Sequence, residues 1–326
     1  MQDTGSATTS ALLSLAEVEA ALERIAGKVR VTPALSSEAL DRAAGARLVF
    51  KCENLQAIGA FKARGATNAV FSLSAAEAAR GVATHSSGNH AAAVARAARL
   101  RGVPAFVVMP EGAARPKIEQ VRALGAEITF CAPTAAAREA TAAEVVLRTG
   151  AALIHPYDDR RVMAGQGTAA LELIDQAPDL DLVIAPIGGG GLISGVSTVV
   201  SARLPGARTI GAEPAGADDA ARSLAAVRRM PLGEARTIAD GLRAPLSDST
   251  FAHIQARVSQ IATVSEAAIV EAMRALWEGL KVIVEPSAAV GYAAILEGKI
   301  DVRGKSAGII LTGGNVDLDR LPWQAR

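Results

Sequence analysis

Aromatic residues are scarce in this chain of 326 residues: six phenylalanines, two tyrosines and two tryptophans make up only 3%. Half of the residues are nonetheless hydrophobic, so alanine, valine, leucine and isoleucine must fill the core. Charge of a single sign is equally lacking. Lys+Arg total 34 against 33 for Asp+Glu, a net charge of +1. Nothing in that balance favours a nucleic-acid surface, an anionic membrane or a polyacidic partner. There are two cysteines, Cys52 and Cys131, each inside an apolar, strand-like run. Two unpatterned cysteines argue against a disulfide framework or a thiolate metal site and fit reduced, buried thiols in a cytoplasmic protein. No long apolar run is uninterrupted. The richest, "DLVIAPIGGGGLISGVSTVV" (181–200), is broken by Pro186 and four glycines, which argues against a membrane span. The opening "MQDTGSATTSALLS" has an early acid and no basic start, and reads as a frayed end, not a signal peptide.

What is present is alternation. Short β-branched runs are followed by longer alanine-rich helical patterns: "RLVFKCENL" then 62–80, "GVATHSS" then 88–101, "VPAFVVMP" then 114–124, "AEITFC" then 134–149. "AALIHP" then 162–176 and "DLVIAPI" then 192–203 continue the series, and "RTIGAEP" and "SAGIILTGG" supply later strands. Strands that are apolar on both faces and bounded by helices form parallel sheets. Ser14 and Glu17 form a capping box that opens an early helix. The length is comfortable for two lobes. The predicted fold is therefore α/β and two-lobed, each lobe a mostly parallel sheet flanked by helices. Residues 81–158 would form a small substrate-side domain inserted between 1–80 and 159–326, which together make a large cofactor-binding domain. Ligands in such folds lie at the carboxyl ends of strands.

The chemistry-bearing motifs fall at those ends. In "PIGGGGLISG" (186–195) a strand runs through Gly188, Gly189, Gly190 and Gly191 into a helix. Consecutive amides at a helix start cradle an anion; a plain flexible turn is the bland alternative. No Gly-Lys-Ser/Thr follows, and the spacing fails G-x-G-x-x-G, so a phosphate is indicated but a nucleoside triphosphate or dinucleotide is not. In "THSSGNHAAAVA" (84–95), Ser86, Ser87, Asn89 and His90 crowd a helix start where one capping residue would suffice. In "IGAFKARGA" (58–66), Lys62 stands beside Phe61 at the start of a helix. That position is ordinarily solvated, but the helix dipole disfavours a cation there and lowers an amine's pKa, as an imine-forming lysine requires. Thr312, in "LTGGN" (311–315), ends an apolar strand and offers a hydroxyl, or is simply a satisfied strand-end threonine.

Together these motifs resemble the fold-type II pyridoxal-phosphate enzymes from about residue 20 to 319, within the serine/threonine dehydratase (threonine ammonia-lyase) and serine racemase branch. The resemblance implies that Lys62 holds pyridoxal 5′-phosphate as an imine and that Phe61 packs near its ring. It implies that Gly188 to Gly191 hold the phosphate, Asn89 the ring hydroxyl and Thr312 the pyridine nitrogen, with Glu285 in "VEPSAAVG" also on the cofactor side. A neutral hydroxyl at that nitrogen makes a weaker electron sink than a carboxylate partner, which favours β-elimination over transamination. The implied reaction takes the α-proton with Lys62 as base, expels a β-hydroxyl and ends in a 2-oxo acid and ammonia. Ser86, Asn89, His90 and Arg138 would bind the substrate. Ser87 matches the serine that acts on the opposite face in serine racemases, so racemisation is a second activity to consider. "GAEPAGADD" (211–219) resembles the family's divalent-cation segment, with Glu213, the Ala217 carbonyl and Asp219 as ligands for Mg²⁺ or Ca²⁺; helix-capping acids are the alternative.

Departures gather on the substrate side. Ile58 stands where relatives carry Thr or Ser, Leu124 where many have Tyr, Tyr157 where serine racemases carry Asn, and Ala244 where they carry a hydroxyl. The chain ends soon after "GGN", so feedback control through a C-terminal regulatory domain is not expected. The expected partners are a small amino-acid substrate and a second copy in a homodimer, with no nucleic acid and no membrane. Racemisation, β-replacement with a second nucleophile, and phosphate-ligand binding without catalysis are the competing readings; Lys62 argues against the last.

Overall fold

A computed structural model describes residues 12–86, 88–113 and 115–324. In chain order, α1 (Leu15–Ile25), β1 (Ala34–Leu35), α2 (Glu38–Ala44), β2 (Arg47–Lys51), α3 (Lys62–Phe71) and α4 (Ala75–Ala79) come first. Then follow β3 (Val82–His85), α5 (Asn89–Arg101), β4 (Ala105–Pro110), α6 (Arg115–Ala123), β5 (Glu127–Cys131), α7 (Ala135–Thr149) and β6 (Ala152–Leu153). The rest is α8 (Arg160–Gln176), β7 (Leu182–Pro186), α9 (Gly191–Arg203), β8 (Arg208–Pro214), α10 (Asp219–Ala226), α11 (Asp248–Arg257), β9 (Gln260–Val264), α12 (Glu266–Leu280), α13 (Pro286–Leu296) and β10 (Ser306–Ile310).

The strands form two sheets. One has six strands in the order β1-β2-β10-β7-β8-β9; the other has four in the order β5-β4-β3-β6. Every pairing is parallel except β1 with β2 at the edge. Alternate residues of the larger sheet enter different cores. Leu48, Phe50 and Ile184 pack with Met273, Leu276 and Tyr292 on one face, while Val49, Val183 and Ala185 pack with Leu171, Val196 and Val199 on the other. Two apolar faces explain why these strands read as continuous hydrophobic runs. In the register, Ile309 of β10 lies opposite both Phe50 and Ile184. The segments leaving β10 and β7 therefore emerge side by side, one carrying Thr312 and the other the four glycines.

The α/β architecture matches the sequence reading, with local differences such as the strand in "RLVFKCENL", which ends at Lys51. The helix predicted over 62–80 is two helices, because Ser74 starts a capping box of its own with Glu77. The strand in "AALIHP" is only two residues long. The Ser14–Glu17 capping box is present as predicted.

Glycine sets how closely three helices approach. A Cβ on Gly165 of α8 would lie 2.6 Å from the Cα of Gly65 on α3. One on Gly167 would lie 2.9 Å from the Gly195 carbonyl oxygen on α9, and one on Gly195 would run into the Met163 carbonyl oxygen. So α3, which begins at Lys62, and α9, which begins at the tetraglycine, are both seated backbone-to-backbone on α8. Beneath them lies a buried ion network. Arg64 grips Glu53 (2.7 Å) and Glu172 (2.6 Å), and Lys51 pairs with Glu172 (2.7 Å). Burial alone would raise the Glu53 carboxyl, but the charge and hydrogen bonds of Arg64, with Thr32 and Lys51, outweigh it and hold it low.

Gly195→Ala is expected to cost about 3 kcal/mol of stability, the upper range for overpacking a tight contact. Gly206, with open space around its Cα, is the control, and Gly206→Ala is expected to stay within about 0.5 kcal/mol. Urea unfolding midpoints of the two variants check this.

Candidate active site

The segment before Lys62 is zipped to the exit of β10. The Phe61 N–H donates to the Thr312 carbonyl (3.0 Å), the Gly314 N–H to the Gly59 carbonyl (3.0 Å) and the Asn315 Nδ2 to the Ile58 carbonyl (2.8 Å). Ile58 adopts φ 60° within this zip, a left-handed conformation that costs a β-branched residue strain. Lys62 and Thr312 are thereby held on one wall. The Lys62 Nζ donates to the Pro156 carbonyl (2.7 Å) and lies 5.1 Å from the centre of the Phe61 ring. No carboxylate pairs with it among the described residues. Burial pushes its pKa down to about 8, because desolvation penalises the cation.

Thr312 is buried and its hydroxyl oxygen has no hydrogen-bond partner. A buried orphan of this kind calls for a ligand atom. Next to it, Asn89 at the start of α5 donates to Glu285 (3.0 Å) and accepts from Asn315 Nδ2 (2.8 Å). Glu285 stands at the start of α13. Burial pushes its carboxyl up to about 7, with the charge of Asp240 adding to the rise. The tetraglycine runs from the end of β7 to the first residue of α9, with Gly190 at φ 86°. A Cβ on Gly188 would press on the Leu242 backbone (3.0 Å), one on Gly189 would run into the Tyr157 ring, and one on Gly190 would lie 2.7 Å from Thr250. Only glycine fits this loop, and the first-turn amides of α9 have no intrahelical partner. These features fit pyridoxal phosphate: an amine for its aldehyde, amides for its phosphate and a free hydroxyl for its ring nitrogen.

The substrate-side expectations divide. Ser86 follows β3 and its hydroxyl accepts from the Gly88 N–H (3.2 Å). His90 is buried beneath that loop, with Nε2 on the Ile154 carbonyl (3.2 Å). Burial first, then Lys62, pushes it well below its usual pKa, so it is neutral. Arg138 projects from α7 and its Nε is buried without a partner. Ser87 lies outside the described residues. Glu213 is in β8 and Asp219 opens α10; the Glu213 carboxylate accepts from the Ala221 N–H (2.7 Å) and that of Asp219 from the Leu246 N–H (3.1 Å). Burial pushes Glu213 up to about 8 against the opposing Ala221 amide, and the charge of Asp219 adds to the rise. Ala217 is buried beside them. Among the described residues no three His, Cys, Asp or Glu side chains form a metal cluster.

Two participants were not assigned from sequence: Asn315 and the Pro156 carbonyl. "GGN" was a visible signal for the first; a backbone carbonyl leaves none.

Taken together, the fold and site define a pyridoxal-phosphate enzyme. The chain belongs to that family: residues 25–313 match the model described as "Pyridoxal-phosphate dependent enzyme". It is 52% identical over 304 residues to a β-hydroxyaspartate dehydratase of Paracoccus denitrificans (strain Pd 1222), covering 93% of this chain and 96% of that protein. It is 47% identical over 313 residues to a serine racemase of Arabidopsis thaliana, covering 94% of each. Among solved structures, maize serine racemase superposes with a TM-score of 0.93 at 45% identity, covering 95% of each chain. A serine racemase from Dictyostelium discoideum gives 0.90 at 42%, covering 94% of this chain and all of that one. A threonine deaminase of T.th. gives 0.89 at 45%, covering 94% of this chain and 99% of that one. No helix among the described residues is long and apolar enough to cross a membrane.

Because burial favours the neutral amine, Lys62 of the cofactor-free protein should become reactive near pH 8 rather than near 10.5. Labelling with an amine-selective acylating reagent, followed by peptide mass spectrometry, should show the Lys62 rate rising about tenfold per pH unit below about 8 and levelling above it. A lysine in an unstructured control peptide, with its ordinary pKa of about 10.4, should still be rising at about pH 9.

Proposed function

We propose that this chain is a pyridoxal-phosphate-dependent ammonia-lyase that dehydrates a β-hydroxy amino acid, L-serine, L-threonine or a relative of them, to a 2-oxo acid and ammonia. The observation that carries this reading is the pairing on one wall of a desolvated lysine amine with an orphaned, neutral threonine hydroxyl. Pyridoxal phosphate bound here supplies a sink for the electron pair of the Cα–H bond. The chain's own residues do the rest. The neutral Lys62 amine takes the α-proton, and a base with a pKa of about 8 suits transfer at neutral pH. Ser86 and Asn89, at the start of α5, orient the substrate's carboxylate end. The Cβ–O bond breaks, the leaving oxygen gains a proton and departs as water, and water re-enters to release ammonia. No oxidant or reductant is required. The relatives named as a dehydratase and a threonine deaminase support this reading.

Racemisation of an amino acid is the second reading. The 47% identity to a serine racemase and the Ser86-Ser87-Gly88 sequence favour it. We also propose Glu213, the Ala217 carbonyl and Asp219 as oxygen ligands for Mg²⁺ or Ca²⁺, since two buried carboxylates with raised pKa values are relieved by a cation. Residues 81–158 we propose as the substrate-side lobe.

The holoenzyme incubated with L-serine and L-threonine should yield 2-oxo acid in a coupled dehydrogenase assay. Lys62→Ala should lower that rate by about 10³-fold, within the range for removing a general base. Enantiomer exchange by chiral chromatography with little oxo acid would transfer the assignment to a racemase.

A further inference from the structure

Glu285 has no part in the scheme above, although it is buried against the polar wall of the site. Its two carboxylate oxygens accept from Asn89 Nδ2 (3.0 and 3.3 Å), and one of them also accepts from the Asn315 N–H (3.2 Å). Its own N–H donates to the Gly313 carbonyl (2.9 Å). The Asn315 Nδ2 donates to Asn89 Oδ1 (2.8 Å). The Asn89 amide is therefore read at both ends. Turned over, it would set its oxygen against a carboxylate and its nitrogen against another amide nitrogen, so only one orientation satisfies both partners. An amide nitrogen carries two hydrogens. One of them can span both Glu285 oxygens, which leaves the second for a ligand.

Two further charges act on this carboxylate from outside the network. Asp240 opens the short turn Asp240–Leu242, whose Gly241 N–H donates to Ser287 Oγ (3.0 Å) in the first turn of α13. The same turn backs the glycine loop, where a Cβ on Gly188 would lie 3.1 Å from the Gly241 carbonyl oxygen. Lys117 of α6 pairs with Asp240 (2.6 Å), and a Cβ on Gly88, next to Asn89, would lie 3.9 Å from the Lys117 Nζ. Burial first, then the charge of Asp240, pushes the Glu285 carboxyl up to about 7, against the pull of Asn89, Lys117 and the Asn315 amide. Near neutral pH it is thus divided between two forms. As a carboxylate it offers acceptors only. Once protonated, it turns one acceptor into a donor, and Asn89 loses the partner that fixes its orientation.

We propose that Glu285 is a positioning residue for the cofactor: acting through Asn89, its carboxylate holds that amide with an N–H turned to the bound ring. The positioned form is the carboxylate, so it prevails above about pH 7 and is lost as the pH falls below it. Lys117 and Asp240 tune it without touching Asn89. Removing Asp240 eases ionisation of Glu285, and removing Lys117 hinders it. The proposal rests on the Asn89 side chain lying against the cofactor, and it holds for elimination and racemisation alike.

The test titrates cofactor-free protein with pyridoxal 5′-phosphate, without substrate, and follows the absorbance of the bound imine from about pH 6 to 9. Wild-type affinity should weaken as the pH falls through about 7. Glu285→Gln keeps an acceptor but not the charge. Its dissociation constant at about pH 8 should rise about tenfold, and that step in the pH dependence should vanish. Glu285→Asp should restore part of both. The midpoint of the step should move down in Asp240→Asn and up in Lys117→Met. Both of those side chains are partly exposed, so this arm decides the matter even if Glu285→Gln does not fold. Wild-type affinity and pH dependence in Glu285→Gln, or midpoints that stay put or move together, overturn the proposal. Unchanged cofactor affinity in Asn89→Ala overturns it as well, by removing Asn89 from the cofactor. No arm measures turnover, so the dehydratase reading stands or falls separately.

Discussion

The contact between glycine backbones on α3, α8 and α9 is the constraint on which the site depends. Gly65 against Gly165, and Gly167 against Gly195, leave no room for a methyl group between the helices. Their separation is set by backbone van der Waals contact, which yields less than side-chain packing does. Lys62 begins one outer helix and the tetraglycine ends at the other. The distance from amine to phosphate cradle is thus fixed about one helical turn beyond Lys62 and Gly191. The ion network of Arg64, Glu53, Glu172 and Lys51 adds orientation to spacing. It ties the second residue after Lys62 to β2 and α8, and its two cations are balanced by two carboxylates, so no charge is left uncompensated there.

A second set of contacts closes the wall. The register of β10 with β2 and β7 brings Thr312 level with the lysine segment, and three hydrogen bonds between 58–61 and 312–315 hold them together. Asn315 then reaches Asn89, which reaches Glu285, so elements of the two sheets meet in one chain of hydrogen bonds. The left-handed Ile58 is the local cost of this closure.

Much of this was legible in the sequence, for physical reasons that also mark the limit. Strands buried on both faces leave continuous apolar runs, and strand-to-helix junctions that bind ligands leave glycine and hydroxyl clusters. That is why Lys62, the tetraglycine, Asn89 and Thr312 stood out. The break between α3 and α4 carried the same S-x-x-E signal as Ser14, but alanine-rich flanks with uniform helix propensity hid it. The antiparallel β1 is too short to show a period. Gly65, Gly165, Gly167 and Gly195 have nothing in the local sequence to separate them from weak points in helices, and Arg64 nothing to separate it from any other helix arginine. Each takes its meaning from a residue distant in the chain, which no local pattern records.

The two sheets also divide the polar groups around the site between them. The helices and loops of the six-stranded sheet carry nearly all the groups suited to the cofactor, while Arg138, His85 and His155 hang from the four-stranded sheet. Tyr157, like Asn89, touches both sets. Its ring lies against Gly189 and its backbone against Gly191, while its other neighbour is the His155 ring. A change in the size of that ring would therefore disturb the glycine loop and the His155 ring together.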